Sequence, residues 1–322
     1  MPLFTQIKNS IASSAPANYI VRKSKVIQLP GFSGITLFDV VNFFMKQVRT
    51  VGVTERASSI AFNFVMAIPP AIIFLFTLIP FLPISRQFEQ QLYGLIRDVV
   101  PGEKNNAVII KFLQDFINNP RNGLLSLGFI LSLFFSSNAV MGIMRSFDKN
   151  YHGFRKRNEL QKRITALKIT SILFVLMFVS ILLLIGQGQV LRWLGIRSRV
   201  IRNFILNARW VVIVFLFFGC ISYIYRHAPA VHKKWKMISP GSILATFLMI
   251  IFTLGFSYWV NHFGRYNQLY GSIGTVLILM LLIYFNSLVL LIGFELNVSI
   301  SSLKRIAEER INNPVEGNGQ PE

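Results

Sequence analysis

The sequence predicts an all-α, polytopic membrane protein with six transmembrane helices, further amphipathic helices at the membrane surface, and both termini in the cytoplasm. Of its 322 residues, 53% are hydrophobic and only 14% are charged, whereas a soluble domain carries about a quarter of charged residues. Six apolar runs approach or exceed the helix length that crosses a hydrocarbon layer about 30 Å thick. The segments on the side of the two termini hold twice as many Lys and Arg residues as those on the other side, which indicates that this side is cytoplasmic.

The chain divides into three parts. Residues 1–35 form a basic segment with little expected fixed structure, residues 36–300 form the transmembrane domain, and residues 301–322 form a cytoplasmic tail whose end we expect to be disordered. The predicted spans are 57–82, 123–144, 165–186, 210–225, 240–260 and 273–298, of which the fourth is the shortest. No cleavable signal sequence is predicted, so the first span is expected to direct insertion.

The first ordered element is predicted to be an amphipathic helix over 36–50. Thr36 and Asp39 have the spacing of a capping box, and apolar residues follow at helical intervals. Such a helix is expected to lie in the inner membrane interface, as a support for the first span or, less favoured, as a partner-binding element.

Prolines interrupt the first span. Pro69 and Pro70 each remove an amide donor, so we expect this helix to be kinked or broken near Pro69. A broken helix is tolerated where it lines a water-filled cavity, as in transporters. The alternative to such a site is a kink that serves helix packing only. Asn63, on the cytoplasmic half of the span, is a candidate partner for freed backbone groups.

The loop between the third and fourth spans is basic although it is predicted to lie outside. It holds four arginines that form a candidate anion-binding site: Arg192, Arg197, Arg199 and Arg202. Arginine forks match phosphate and carboxylate geometry. Snorkelling of these side chains around a short interfacial helix is the alternative.

Small residues mark the starts of the last two spans. Ser239 is placed to cap a helix whose first residue is Pro240, and Gly241 allows another backbone to approach closely. Gly271 and Gly274 allow a sharp re-entry into the sixth span.

The sixth span contains the polar residues that carry the functional hypothesis. At about 100° per residue, Asn286 and Asn297 share one stripe, and Tyr284 and Glu295 share the opposite one. Buried amides and carboxylates require polar partners, so these stripes are expected to face other helices or water. Because Arg226 ends the fourth span on the same side, an ion pair between Arg226 and Glu295 is predicted.

Several short blocks of sequence are distinctive. They are ERASSIAFNF and IPP within 55–70, FDKNYHG in 147–153, YIYRHAP in 223–229, SPGS in 239–242, FSYWV in 256–260, YGSIG in 270–274 and GFELN in 293–297, together with Trp235 and Tyr266. These blocks resemble the YihY/BrkB family of bacterial inner-membrane proteins. The resemblance implies six spans, both ends inside the cell, and a transport or envelope role. The family long carried a ribonuclease label that is regarded as an error, and one branch is associated with serum resistance in a pathogen.

Two functions are compatible with these features. In the first, the protein is a transporter or flippase-like protein that moves an envelope lipid or another anionic amphiphile along a path lined by the first and sixth spans. In the second, it is a non-transporting membrane scaffold or an envelope-integrity factor of the serum-resistance kind. A hydrated polar cavity favours the first function and a dry, closely packed bundle favours the second.

The residue pattern does not favour an enzyme. His152, His227, His232 and His262 lack the spacing of metal ligands, and no phosphate-binding loop is present in the sequence. We expect no metal or cofactor and no nucleic-acid partner, and RNA hydrolysis is the least supported activity. The net charge of +20 is explained by topology and by anionic headgroups, so membrane lipids are the expected partners. A homo-oligomer is compatible with the sequence.

Overall fold

The computed structural model describes residues 22–27, 35–50, 52–78, 122–148, 157–193, 199–231, 234–263 and 272–312, with isolated residues at 19, 93, 107, 110, 111, 114 and 115. Between 181 and 210 it describes backbone and no side chains. Seven helices longer than 13 residues lie in these ranges: α1 Leu37–Thr50, α2 Val53–Leu78, α3 Asn122–Phe147, α4 Glu159–Trp193, α5 Arg199–His227, α6 Pro240–Phe263 and α7 Ser272–Asn312.

Five of these helices, α2, α3, α4, α6 and α7, are long and apolar enough to cross a membrane. They contain the first, second, third, fifth and sixth predicted spans. The fourth predicted span, 210–225, lies in α5, which is helical but is not one of the five over its described residues. The prediction of an all-helical, multi-span protein is thus confirmed at the level of five spans.

The six long helices form a closed ring. Each of α2 to α7 packs against its neighbours along the chain, and α7 returns to pack against α2. Helix α1 lies outside the ring against α7, where Val40 packs on Ile300. Thr36 caps its start, since the Thr36 hydroxyl oxygen accepts from the Asp39 amide at 3.2 Å, and the same hydroxyl donates to the Asp39 carboxylate at 2.6 Å.

The first span is predicted to be kinked or broken near Pro69: the break does not occur, because α2 is one helix through Pro69 and Pro70, and the kink stays a prediction. Packing against α3 on both sides of the prolines accounts for this continuity. Before the prolines, a Cβ added at Gly142 would lie 3.0 Å from the Asn63 side chain, and after them one added at Gly128 would lie 3.4 Å from the Phe74 backbone. Close contacts of small residues with a neighbouring helix thus support α2 on both sides of the prolines.

Three helices extend well beyond their apolar runs. Helix α4 starts at Glu159, α5 starts at Arg199, and α7 continues to Asn312, so the first part of the predicted tail is helical. In that extension, Lys304 pairs with Glu308 at 3.8 Å and Arg305 with Glu309 at 3.1 Å. Such i,i+4 pairs stabilise the exposed end of a helix. The two short helices expected between the first and second spans lie outside the described residues.

The apolar core occupies one end of the ring, the end at which α2 begins and α3 ends. Every ring helix contributes to it, for example through Ile60, Ile143, Ile169, Ile224, Met249 and Phe294. Toward the opposite end large apolar side chains are exposed, among them Ile72, Ile130, Val175, Phe215, Leu254 and Val276. Apolar side chains on the outside of a membrane-spanning bundle are expected to contact lipid.

Candidate functional site: a buried ion pair at the packed end of the helix ring

Two opposite charges are buried together where α2, α3 and α7 meet. A guanidinium nitrogen of Arg56, in the first turn of α2, lies 2.5 Å from a carboxylate oxygen of Glu295 on α7. The exposed fractions of the two side chains are 5% and 0%. Because α7 and α2 are the helices whose contact closes the ring, this ion pair joins the first and last members of the bundle.

Arg56 also contacts the end of α3. Its second terminal nitrogen donates to the backbone carbonyl of Ser146, in the last turn of that helix. The last carbonyls of a helix have no partner within it and carry partial negative charge, so the guanidinium caps α3 while it neutralises Glu295. One cation of α2 therefore binds groups on two other helices, α3 and α7.

Residues next to the ion-paired groups in the sequence contribute aromatic rings to the apolar core. Phe147 and Phe294 stack with their ring centroids 3.8 Å apart, and both rings lie near the fully buried Tyr225. The Tyr225 hydroxyl donates to the Leu290 carbonyl at 2.5 Å. In such an apolar surrounding a charge without its partner is costly, so the two charges depend on each other.

The predicted partner of Glu295 is wrong: the carboxylate pairs with Arg56, whereas Arg226 is half-buried at the end of α5. Sequence reasoning assigned Arg56 to the basic residues that flank the first span and so did not consider it. A signal was present, since Arg56, Ile60 and Asn63 recur at helical spacing on one face of α2, and that face is turned inward.

A hydrogen-bonded joint connects α6 and α7 beside the ion pair. The Asn297 amide oxygen accepts from the Gly241 backbone nitrogen at 2.9 Å, and its amide nitrogen donates to the Ser239 hydroxyl at 2.9 Å. The Ser239 hydroxyl oxygen accepts from the Ser242 amide, as expected of a cap before Pro240. The Asn297 side chain of α7 thus forms hydrogen bonds with polar groups at the start of α6.

The joint is closely packed because two glycines face each other. A Cβ added at Gly241 would lie 2.1 Å from the Gly293 carbonyl oxygen, and one added at Gly293 would lie 2.6 Å from the Gly241 carbonyl oxygen. Close approach of backbones at small residues is the usual way in which membrane helices associate.

The other polar residues predicted on the sixth span lie further along α7. Asn286 is half-buried, donates to the Leu282 carbonyl of its own helix at 2.9 Å, and accepts from Thr253 of α6 at 3.4 Å. The stripe of Asn286 and Asn297 therefore faces α6. Tyr284 packs at the margin of the core and contacts the Phe285 ring edge-on.

The remaining predicted site residues do not join the ion pair. Asn63 donates to the Ser59 carbonyl of its own helix at 2.7 Å. Gly274 is buried near the start of α7, and Gly271 lies outside the described residues. Of the candidate anion-binding arginines, Arg197 lies outside the described residues, and only the backbone is described at Arg192, Arg199 and Arg202.

A polar clamp holds together the segments that follow α3 and α5. The Asp148 carboxylate accepts from the Ala230 amide at 3.3 Å, and Arg157 donates to the carbonyls of Ala228 and Pro229 at 2.8 and 3.2 Å. Burial raises the pKa of Asp148, and the hydrogen bond from Ala230 and the nearby Arg157 oppose that rise. The clamp fixes the ends of α3 and α5 on the same side of the ring.

Within the described ranges, no group of three or more His, Cys, Asp or Glu side chains is arranged as metal ligands would be. The chemistry available at the site is therefore that of its charged and amide groups: Arg56 can bind an anionic group, and Glu295 competes for the same guanidinium.

Comparisons with known proteins place the chain in a family. The family profile described as Virulence factor BrkB matches residues 44–318. The "Putative ribonuclease-like protein YfkH" of Bacillus subtilis is 27% identical over 259 residues, which cover 79% of this chain and 92% of that protein. A "UPF0761 membrane protein" of Tolumonas auensis is 23% identical over 265 residues, covering 80% and 84%. No solved structure matches significantly. The profile spans the ion pair and the α6–α7 joint, and the chain is a membrane protein that belongs to the Virulence factor BrkB family.

Proposed function

We propose that the protein is a transporter or flippase-like protein that moves an envelope lipid or another anionic amphiphile across the bacterial inner membrane. The observation that carries this proposal is the buried pair of Arg56 and Glu295, which joins the two helices that close the ring. Ionisable residues within membrane bundles mark substrate or ion pathways more often than they serve packing alone.

The geometry suggests how such a pair would work. An anionic substrate group that binds Arg56 would displace the Glu295 carboxylate, because both groups need the same planar fork of donors. Loss of the ion pair would release α7 from α2 at the packed end of the ring. The substrate would then enter or leave at the packed end. At other times it would do so at the opposite end, where large apolar side chains are exposed.

We also propose that α5 crosses the membrane as the fourth of six spans and that both termini are cytoplasmic. The start of α2, the end of α3 and Glu295 of α7 meet at one end of the ring, and the end of α5 is clamped to the same end through Asp148. Helices that alternate in direction from α2 to α7 meet this condition only if α5 also crosses. The basic residues around that end favour its cytoplasmic location.

A membrane scaffold or envelope-integrity factor is the second candidate function. It is favoured by the dense apolar packing around the ion pair, above all by the stacked rings of Phe147 and Phe294. In that function Arg56 and Glu295 would only lock the helices. Neither proposal includes an enzymatic activity, and the ribonuclease-like name belongs to the Bacillus subtilis relative.

Reconstitution into vesicles tests the first proposal. Glu295→Gln removes the charge with little change of shape, and we expect it to abolish movement of a fluorescent anionic phospholipid between leaflets, measured by quenching from outside. Glu308→Gln makes the same chemical change on the same helix at an exposed position and should move lipid normally. If the wild-type protein moves no lipid, or if Glu295→Gln moves it as fast as Glu308→Gln does, transport through this pair is wrong and the scaffold function is favoured.

A further inference from the structure

A second cation packs between α3 and α4, outside the apolar core. Arg163 is located on α4, one turn after the start of that helix, and its guanidinium lies against α3. One terminal nitrogen donates to the Asn138 side-chain oxygen and lies 3.4 Å from the Met141 sulfur. The guanidinium carbon lies 4.3 Å from the centre of the Phe134 ring, a cation–π contact.

The contacts of Arg163 lie along the apolar span of α3. Phe134, Asn138 and Met141 all belong to the apolar span Ser126–Phe147 of α3. Asn138 precedes the end of α3 by nine residues, which at about 1.5 Å per residue is about 14 Å along the helix. Arginines near the end of a span usually extend toward the headgroups. Arg163 is instead held against the middle of the neighbouring span.

The site faces the surroundings of the protein. Phe134 is 50% exposed, and Arg163 and Asn138 are half-buried. None of the ion pairs between described residues includes Arg163, and the nearby Glu159 is paired with Lys162 at 2.8 Å. A guanidinium at a lipid-facing surface is stable only if an anion or several strong acceptors reach it.

The chemistry of Arg163 favours one class of anion. A guanidinium carries five donors in a rigid fork. Every hydrogen bond between Arg163 and a described residue leaves from a single terminal nitrogen. The opposite edge of the fork matches the paired oxygens of a phosphate group. At the membrane interface, the phosphate that lies beside an exposed aromatic ring and an apolar helix surface is that of a phospholipid, whose acyl chains stay in hydrocarbon.

We propose that Arg163, Phe134 and Asn138 form a binding site for the phosphate group of a membrane phospholipid at the contact between α3 and α4. Asn138 and the Phe134 ring orient the guanidinium, and the free edge of the fork binds the phosphate oxygens. This inference goes beyond the proposed function and does not rest on it, because the site lies apart from Arg56 and Glu295 and binds lipid whether or not lipid is moved.

Lipid titration of the purified full-length protein tests the site. The apparent Kd of the tightest-bound phosphatidylglycerol is measured by native mass spectrometry, with a phosphate-free glycosyl diacylglycerol as the comparison lipid. We expect Arg163→Gln to weaken phosphatidylglycerol binding about tenfold, since hydrogen bonds between charged groups are strong. Lys168→Gln, an equal charge change at an exposed position on the same helix, should change the Kd less than about twofold.

Further arms separate the sources of phosphate and guard against misfolding. Excess inorganic phosphate should not displace the lipid; if it does, the site binds a soluble anion and the proposal is wrong. Phe134→Leu keeps an apolar side chain and should weaken binding several-fold, so it tests the site even if Arg163→Gln fails to fold. Equal Kd values for Arg163→Gln and Lys168→Gln would also overturn the proposal. So would binding of the glycosyl diacylglycerol to the wild-type protein as tightly as phosphatidylglycerol.

Discussion

Arg56 and Glu295 are the two residues on which the interior of the bundle depends most. Replacing Arg56 with Gln leaves the Glu295 carboxylate buried beside aromatic rings without its cation. Removal of one partner of a buried ion pair costs about 3–5 kcal/mol. We therefore expect Arg56→Gln to lose free energy of unfolding of that order, measured by denaturant titration in mixed micelles.

The double variant separates pairing from other contributions. Arg56→Gln with Glu295→Gln removes both charges, so it should be less destabilised than the sum of the single variants. Lys304→Gln, at the exposed pair of Lys304 and Glu308, is the control and should cost less than about 1 kcal/mol. Strictly additive losses would mean that the two charges do not interact.

Asp148 gives the clamp between α3 and α5 a dependence on pH. Burial raises the pKa of this carboxyl above its ordinary value of 3.8. Between that value and the raised one, the folded protein binds more protons than the unfolded chain, so the free energy of unfolding falls as the pH increases. Asp148→Asn keeps an oxygen that can accept from the Ala230 amide.

We expect Asp148→Asn to remove this part of the pH dependence and to leave the protein folded. Unfolding free energies of wild type and variant, measured from the acidic range to neutral pH, should converge at low pH and separate as the pH rises, with the variant the more stable. Asp148→Ala loses the acceptor as well and should be destabilised throughout. A wild-type curve parallel to that of Asp148→Asn would contradict the assignment.

At the scale of elements, the crossing of α6 and α7 is set by two glycines. Gly241→Ala would place a Cβ 2.1 Å from the Gly293 carbonyl oxygen, so the two helices must separate. Overpacking of this kind costs about 1–3 kcal/mol, and separation would also weaken the hydrogen bond from Gly241 to Asn297. We expect a lower melting temperature for Gly241→Ala in detergent.

The same helix offers a matched control. Gly255 of α6 has no atom within 4 Å of an added Cβ, so Gly255→Ala should keep or slightly raise stability, because Ala favours a helix over Gly by about 1 kcal/mol. If both variants melt at the same temperature, close approach of α6 and α7 is not required.

The element that sequence reasoning described least well is α2. Local rules for proline predicted a kink or a break near Pro69, and the rule for a break holds for an isolated chain in which nothing opposes the lost hydrogen bonds. The contacts of Asn63 with Gly142 and of Phe74 with Gly128 decide the outcome, and both depend on a helix more than 50 residues away. No local pattern reveals such contacts.

For the whole molecule, helix type and most spans follow directly from apolar length, since a bilayer admits few other structures. The cap at Ser239 and the close approach at Gly241 were also predictable from local chemistry. The partner of Glu295 was not, because several cations lie at the ends of spans and only the closure of the ring selects Arg56 over Arg226. Helix neighbours are a property of three-dimensional packing and not of composition.

A labelling experiment tests the arrangement of the whole chain. Cys220 is the only cysteine, so a Cys220→Ser background accepts single labels. Cysteines at Ser10 and at Asn318 should react with an impermeant maleimide in inside-out vesicles and stay protected in intact spheroplasts, because six crossings leave both termini on one side. Reaction of one terminus from outside would mean that an odd number of helices crosses.

The closure of the ring by α2 and α7 has a consequence for biogenesis. Arg56 and Glu295 are separated by 239 positions, so at roughly 5–20 residues per second of translation the arginine is made tens of seconds before its acid. During that interval the nascent first helix must keep its cation at the headgroups and cannot settle to its final depth. Synthesis of the last helix would then allow the ion pair to form and the first helix to reach its final position. Packing of the bundle would therefore be completed only at the end of synthesis.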